Sequence, residues 1–60
     1  MIKEGDKIIV KHGKYKKETG TVLKIDYNYI PECTVLLNKY TDLIPELAFR
    51  YLYIEDLEKV

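Results

Sequence analysis

Apolar and polar residues alternate along most of this chain with a period of two. Ile8 and Val10 alternate with Lys7, Ile9 and Lys11, the pattern of a half-buried β-strand, and the spacing predicts a first strand over about Lys7 to His12. A second is expected over about Gly20 to Tyr27, where Val22 and Ile25 sit among Thr21, Leu23 and Lys24, a run rich in the β-branched residues that suit a pleated surface. The third, Cys33 to Leu37, reads CTVLL; it lacks clean alternation and is expected to be buried on both sides. The fourth, about Leu47 to Ile54, puts Ala48, Arg50, Leu52 and Ile54 on one face and Leu47, Phe49, Tyr51 and Tyr53 on the other. Both sets contain apolar bulk, so one aromatic face is expected to be partly exposed.

The segments between these runs carry turn chemistry. Residues 2–6, IKEGD, form a short entry ending in a turn. Strands one and two are joined by HGKYKKET, three lysines and a tyrosine on an exposed tip, with Gly13 and Gly20 on either side of it. Glycine serves where φ must be positive or where backbones approach closely. Asn28 and Pro31 make NYIP a loop. Asn38, Asp42 and Pro45 break strand pairing, so residues 38–46 read as a long loop, with Leu43 and Ile44 folding back as a lid. Glu55 and Asp56 followed by Leu57 predict one 3₁₀ turn pinned by Leu57 in the core. Val60 then begins a last short strand that closes a barrel. With no internal repeat and no linker, residues 1–60 are expected to form one all-β domain.

Residues Gly5 to Ile25, about a third of the chain, resemble a KOW motif, the hairpin of a bacterial large-subunit ribosomal protein and of NusG/Spt5-type transcription elongation factors. Gly5, Asp6, Ile8, Val10, Gly13, Lys14, Lys16, Gly20, Val22 and Ile25 fall on the family positions without a gap. The departure is Lys17, where the family commonly has glycine. The resemblance implies a small SH3-like barrel of four to five strands with a C-terminal 3₁₀ turn. It also implies a partner class, RNA or a nucleic-acid machine such as the ribosome or RNA polymerase. Small barrels of this type are reused for many partners, so the function has to be argued from the site.

Composition narrows the classes. At 60 residues and 47% hydrophobic content the chain reads as globular rather than disordered. No run approaches the ~20 apolar residues of a membrane helix, and Met1-Ile2-Lys3 leads into a strand rather than a signal peptide, so a cytoplasmic location is expected. Cys33 is the single cysteine, which leaves no internal disulfide and no cysteine zinc site; a buried packing role is expected for it. Net charge is zero but uneven. Residues 1–24 carry seven lysines against Glu4, Asp6 and Glu18, a surplus of +4, and residues 25–60 carry seven acids against Lys39, Arg50 and Lys59, a deficit of −4. Either the molecule has one basic and one acidic face, or the halves interleave and the charges mix.

Catalysis is not expected. The chain has one histidine and no serine, so a nucleophile, base and orienter are not at hand, and the acids Glu55, Asp56 and Glu58 are better explained by a solvated turn. No cofactor or metal is expected. The candidate nucleic-acid site is the turn, with Lys11, Lys14, Lys16 and Lys17 for phosphates, Tyr15 to stack on an unpaired base, and His12 beside them as either a stacking group or a polar strand-end residue. The six tyrosines are the second candidate, since tyrosine offers large contact area with few rotamers. Tyr29 and Tyr40 are expected to be exposed, whereas Tyr51 and Tyr53 are expected to pack under the 38–46 loop. The leading expectation is a non-enzymatic binding module, monomer or weak dimer. The alternative is a protein-interaction module that docks through Tyr29, Tyr40, Tyr51 and Tyr53, as an accessory subunit or as an inhibitor carried by a phage or other mobile element.

Overall fold

The computed structural model describes residues 1–41 and 48–60. Among these, the chain runs through β1 (Lys7–Val10), β2 (Thr19–Asp26), β3 (Glu32–Leu37), a single helical turn (Asn38–Thr41), β4 (Phe49–Tyr53), a 3₁₀ turn (Ile54–Asp56) and β5 (Leu57–Lys59). The five strands form one antiparallel sheet in the order β4-β3-β2-β1-β5. In this sheet the short last strand returns to pair with the first, and the 3₁₀ turn makes that return.

The period-two pattern decides which face is buried. Ile8 and Val10 of β1, Val22 and Ile25 of β2, Cys33, Val35 and Leu37 of β3, and Leu57 of β5 point inward and are buried, with Ile2 closing the set. No polar or charged residue is buried among the described residues. The spacing of three between Val22 and Ile25 breaks a strict alternation, and the register explains it: pairing with β3 shifts between Val22 and Lys24. This β-bulge puts two residues of β2, Leu23 and Lys24, opposite one of β3, so Leu23 and Lys24 are exposed while Ile25 returns to the core.

Several sequence expectations are corrected. β3 alternates: Cys33, Val35 and Leu37 are buried while Glu32, Thr34 and Leu36 are half-exposed. Apolar side chains on both faces reflect Leu36 lying on a partly covered outer face, not burial on both sides. Residues 38–41 form a helical turn rather than loop; the Leu43–Ile44 lid and the start of strand four at Leu47 lie outside the described residues. The closing strand begins at Leu57 rather than Val60, because Leu57 itself is the buried partner of Val10. Ile54, read as the end of strand four, starts the 3₁₀ turn, and its N–H donates to the Pro31 carbonyl at 3.1 Å.

The β1–β2 connection is tightly hydrogen-bonded. Val10 N–H donates to the Glu18 carbonyl at 2.9 Å and Lys17 N–H to the Val10 carbonyl at 2.8 Å, so Lys17 and Glu18 together oppose Val10. The first residue of such a bulge takes a left-handed conformation and is usually glycine. Lys17 has φ +75°, the only positive φ at a non-glycine among the described residues. A lysine there carries a backbone penalty of about 1–2 kcal/mol. Glycine removes it but gives back about 0.5–1 kcal/mol of unfolded-chain entropy. Lys17→Gly is therefore expected to stabilise by roughly 0.5–1 kcal/mol, raising Tm by about 4 °C in a domain this small. Lys17→Ala, which removes the charge and keeps the Cβ, is the control. An unchanged or lower Tm for the glycine variant alone would refute the strain.

Candidate nucleic-acid interface

The turn from Lys11 to Glu18 is held by its own backbone. Lys16 N–H donates to Gly13 O at 3.2 Å, Glu18 N–H to Tyr15 O at 3.0 Å, and Lys11 N–H to Asp56 O at 2.7 Å, which ties the turn to the 3₁₀ turn. Gly13 supplies φ +92° at the bend. On this frame Lys14, Lys16 and Lys17 are exposed and Lys11 is half-exposed. Among the described residues, no carboxylate lies within 4 Å of these four ammonium groups; the ion pairs there are His12–Asp56, Lys24–Asp26 and Lys59–Asp6. Glu18, the one acid in the turn, keeps Oε1 buried without a hydrogen-bond partner instead of reaching a lysine.

Tyr15 is not on the tip. It is half-buried against the core, and its hydroxyl accepts a hydrogen bond from Arg50 Nε at 2.9 Å. The Arg50 guanidinium carbon lies 5.2 Å from the Tyr15 ring centroid and 5.1 Å from that of Tyr40, while Lys14 Nζ and Lys39 Nζ lie 5.7 and 5.8 Å from the same two rings. At these distances cations are held by the ring quadrupole. The chain of groups Lys14, Tyr15, Arg50, Tyr40 and Lys39 joins the β1–β2 turn, β4 and the helical turn. Lys39, at the far end of that chain of groups, is exposed. Tyr40, expected to be exposed, is half-buried within it.

Sequence reasoning missed Arg50 and Lys39. The signal for Arg50 was present: its alternation sets it on one face with Leu52 of β4 and with Ala48 just before the strand, and a guanidinium on a core-facing row needs partners. Nothing in the local pattern could tell that those partners are tyrosines 35 and 10 positions away.

His12 lies beyond the end of β1, exposed, with Nδ1 3.7 Å from Asp56 Oδ1. That pair is charged only while the imidazole is protonated, and at this exposure it contributes little. Asp56 beside His12 and Lys59 beside Asp6 also show that the acidic half of the chain interleaves with the basic half along β1 and β5. The aromatic face of strand four is exposed, as its alternation predicts, so Tyr51 and Tyr53 are not packed away as also expected; most of the 38–46 loop under which they were to pack lies outside the described residues. Tyr51 is 74% exposed, and Tyr53 and Phe49 lie beside it on the outer face, also exposed. They alternate with Arg50 and Leu52, which take the space toward the core. Tyr29 is fully exposed in the β2–β3 loop, as expected. The structure therefore keeps Lys11, Lys14, Lys16 and Lys17 on one turn and links Lys14 to Lys39 only through the Tyr15–Arg50–Tyr40 contacts, while Tyr29 lies in another loop.

Cys33 is fully buried in β3, and burial pushes its thiol above the ordinary value, so it stays a neutral packing residue at neutral pH. No group of three or more histidine, cysteine, aspartate and glutamate side chains is arranged to hold a metal ion among the described residues. No helix among them is long and apolar enough to cross a membrane. No family model, no curated protein and no solved structure matches this chain.

Proposed function

We propose that this protein is a non-enzymatic binding module of the KOW type that contacts RNA, alone or within a nucleic-acid machine such as the ribosome or RNA polymerase. The observation that carries the reading is the hydrogen-bonded turn with Lys11, Lys14, Lys16 and Lys17 presented to solvent and unpaired with carboxylates among the described residues. A rigid cluster of ammonium groups gains counterion-release free energy on phosphates without first breaking internal ion pairs. Tyr15 acts in this reading as the half-buried anchor of the turn, and the free thiol Cys33 suits a reducing cytoplasm. The test is titration with labelled single-stranded RNA at several salt concentrations. With three ammonium groups on phosphates, log K falls with log salt with a slope of about −2 from these residues. Changing Lys14, Lys16 and Lys17 together to glutamate is expected to remove that contribution and most of the affinity at low salt. No binding by the unchanged protein at low salt, or a slope indifferent to the substitution, would end this reading.

The competing reading is a protein-docking module, and the exposed Phe49, Tyr51 and Tyr53 are what favours it. Recovery of one defined protein after nuclease treatment, dependent on Tyr51 and not on the turn lysines, would select it.

A further inference from the structure

The sheet register places aromatic and basic residues in rows across the outer face. Lys7 pairs with Thr21, Thr21 with Leu36 and Leu36 with Phe49, giving one row across β1, β2, β3 and β4. Lys24 pairs with Thr34 and Thr34 with Tyr51, giving the next. The third row is Asp26, Glu32 and Tyr53. Lys7, Lys24, Phe49 and Tyr51 are exposed, and Thr21, Thr34 and Leu36 between them are half-exposed. The outer face therefore has an aromatic column on β4, a lysine column on β1 and β2, and an uncharged floor of threonine and leucine. The bulge in β2 adds exposed Leu23 to that floor beside Lys24.

We propose that this outer face binds single-stranded nucleic acid, with unpaired bases stacked on Phe49 and Tyr51 and phosphates over Lys24 and Lys7. The inference rests on the RNA reading above and goes beyond it, because it names a second surface and the strandedness of the ligand. The dimensions fit. Neighbouring strands are about 4.8 Å apart, so Tyr51 and Lys24, two strands apart, are separated by about 10 Å. That is within reach of a nucleotide whose base lies on the ring and whose phosphate meets a lysine side chain. Phe49 and Tyr51 are two residues apart on one strand, about 7 Å, so successive bases can each meet a ring. A base buried in a duplex cannot reach these rings, whereas base–aromatic stacking tolerates any base that is unpaired.

Charge decides against a protein partner as the occupant. The only charged residues in the rows that hold Phe49 and Tyr51 are lysines; the acids of the outer face lie in the rows beyond them, Asp26 and Glu32 beside Tyr53 and Glu58 of β5 opposite Ile9. The Lys24–Asp26 pair, at 3.6 Å between exposed groups, is a surface contact that a phosphate readily replaces. The acidic row ends the track and gives it a direction. The strand enters from the side of the lysine turn, which continues from the Thr19 end of β2, and stops before Tyr53.

The experiment compares the full chain and its variants on a short labelled single-stranded RNA and on the corresponding duplex at fixed salt. Tyr51→Ala and Phe49→Ala are each expected to weaken single-strand binding by about 5- to 100-fold, with duplex binding unchanged and melting close to that of the parent for Tyr51→Ala. Tyr51→Phe keeps the ring face and is expected to bind as the parent does, which separates stacking from a hydroxyl contact. Lys24→Ala is expected to make the salt slope shallower by about 0.7. Parent-like single-strand binding by both alanine variants, while the triple glutamate turn variant loses it, would overturn this inference and leave the turn reading standing. Equal affinity for single strand and duplex, or capture of a protein through Tyr51 with RNA binding untouched, would overturn it too. Absence of any RNA binding by the parent would remove the earlier reading and this one together.

Discussion

Gly20→Ala is expected to cost this domain a third or more of its stability, roughly 3 kcal/mol or above. Gly20 sits in β2 with Ile8 of β1 on one side and Leu37 of β3 on the other, and it is buried. A Cβ added there would lie 2.5 Å from the Leu36 carbonyl oxygen and 2.9 Å from Val35 Cγ1. The nearer atom is backbone in a paired strand, so no rotamer change can relieve it. β2 and β3 must move apart where their inward residues Val22, Val35 and Leu37 pack, and overpacking of this kind costs about 1–3 kcal/mol before any ladder hydrogen bond is lost. With those losses the total is expected above about 3 kcal/mol. A chain of this length has about 3–9 kcal/mol of stability at 0.05–0.15 kcal/mol per residue. Far-UV circular dichroism and amide chemical-shift dispersion check the result. A cooperative melt within a few degrees of the parent would show that the strands can part cheaply.

Arg50→Ala is expected to be the most damaging change among the half-exposed residues. It removes a charged donor from the Tyr15 hydroxyl and two guanidinium–ring contacts at 5.2 and 5.1 Å. It also removes a donor to the Phe49 carbonyl at 2.8 Å. A hydrogen bond to a charged group contributes about 1.5–3 kcal/mol and a partly desolvated cation–π contact about 0.5–2. These share one side chain and do not add, so about 3 kcal/mol is the expected loss. Arg50→Lys is expected to recover little, because one ammonium cannot contact two rings while also donating to a hydroxyl and a backbone carbonyl as the guanidinium does. A double-mutant cycle with Tyr15→Phe isolates the hydrogen bond and is expected to show coupling of about 1 kcal/mol or more. A cycle that closes at zero would show that Arg50 and Tyr15 are neighbours without energetic consequence.

The two glycines at the root and bend of the turn show how far local reading reaches. The sequence marks both Gly13 and Gly20 as places of positive φ or close approach. The structure divides the roles: Gly13 takes φ +92°, and Gly20 takes the close approach. Lys17 extends the point. It occupies the position where the resembling family has glycine, and the backbone adopts the left-handed conformation there despite the side chain. The hydrogen bonds to Val10 on both sides impose that conformation.

The candidate site divides in the same way. Exposure of Lys14, Lys16 and Lys17 was legible, because charged residues flanking a turn glycine have nowhere to be buried. The fates of the tyrosines were not. Tyr15 and Tyr40 were drawn inward by a guanidinium that the fold brings between them. Tyr51 and Tyr53 were left outside because Arg50 and Leu52 share the inner row of β4.

By itself the sequence determined the all-β class, the inward rows of Ile8 and Val10, the turn before Pro31 and the 3₁₀ turn pinned by Leu57. Each of these follows from the backbone preferences and period of a few adjacent residues. Only the tertiary structure decided the Leu23–Lys24 bulge, the Tyr15–Arg50–Tyr40 cluster and the rows that set Lys24 two strands from Tyr51. Those are properties of register and of contacts between distant segments, and register is a collective minimum of the whole sheet rather than of any one stretch.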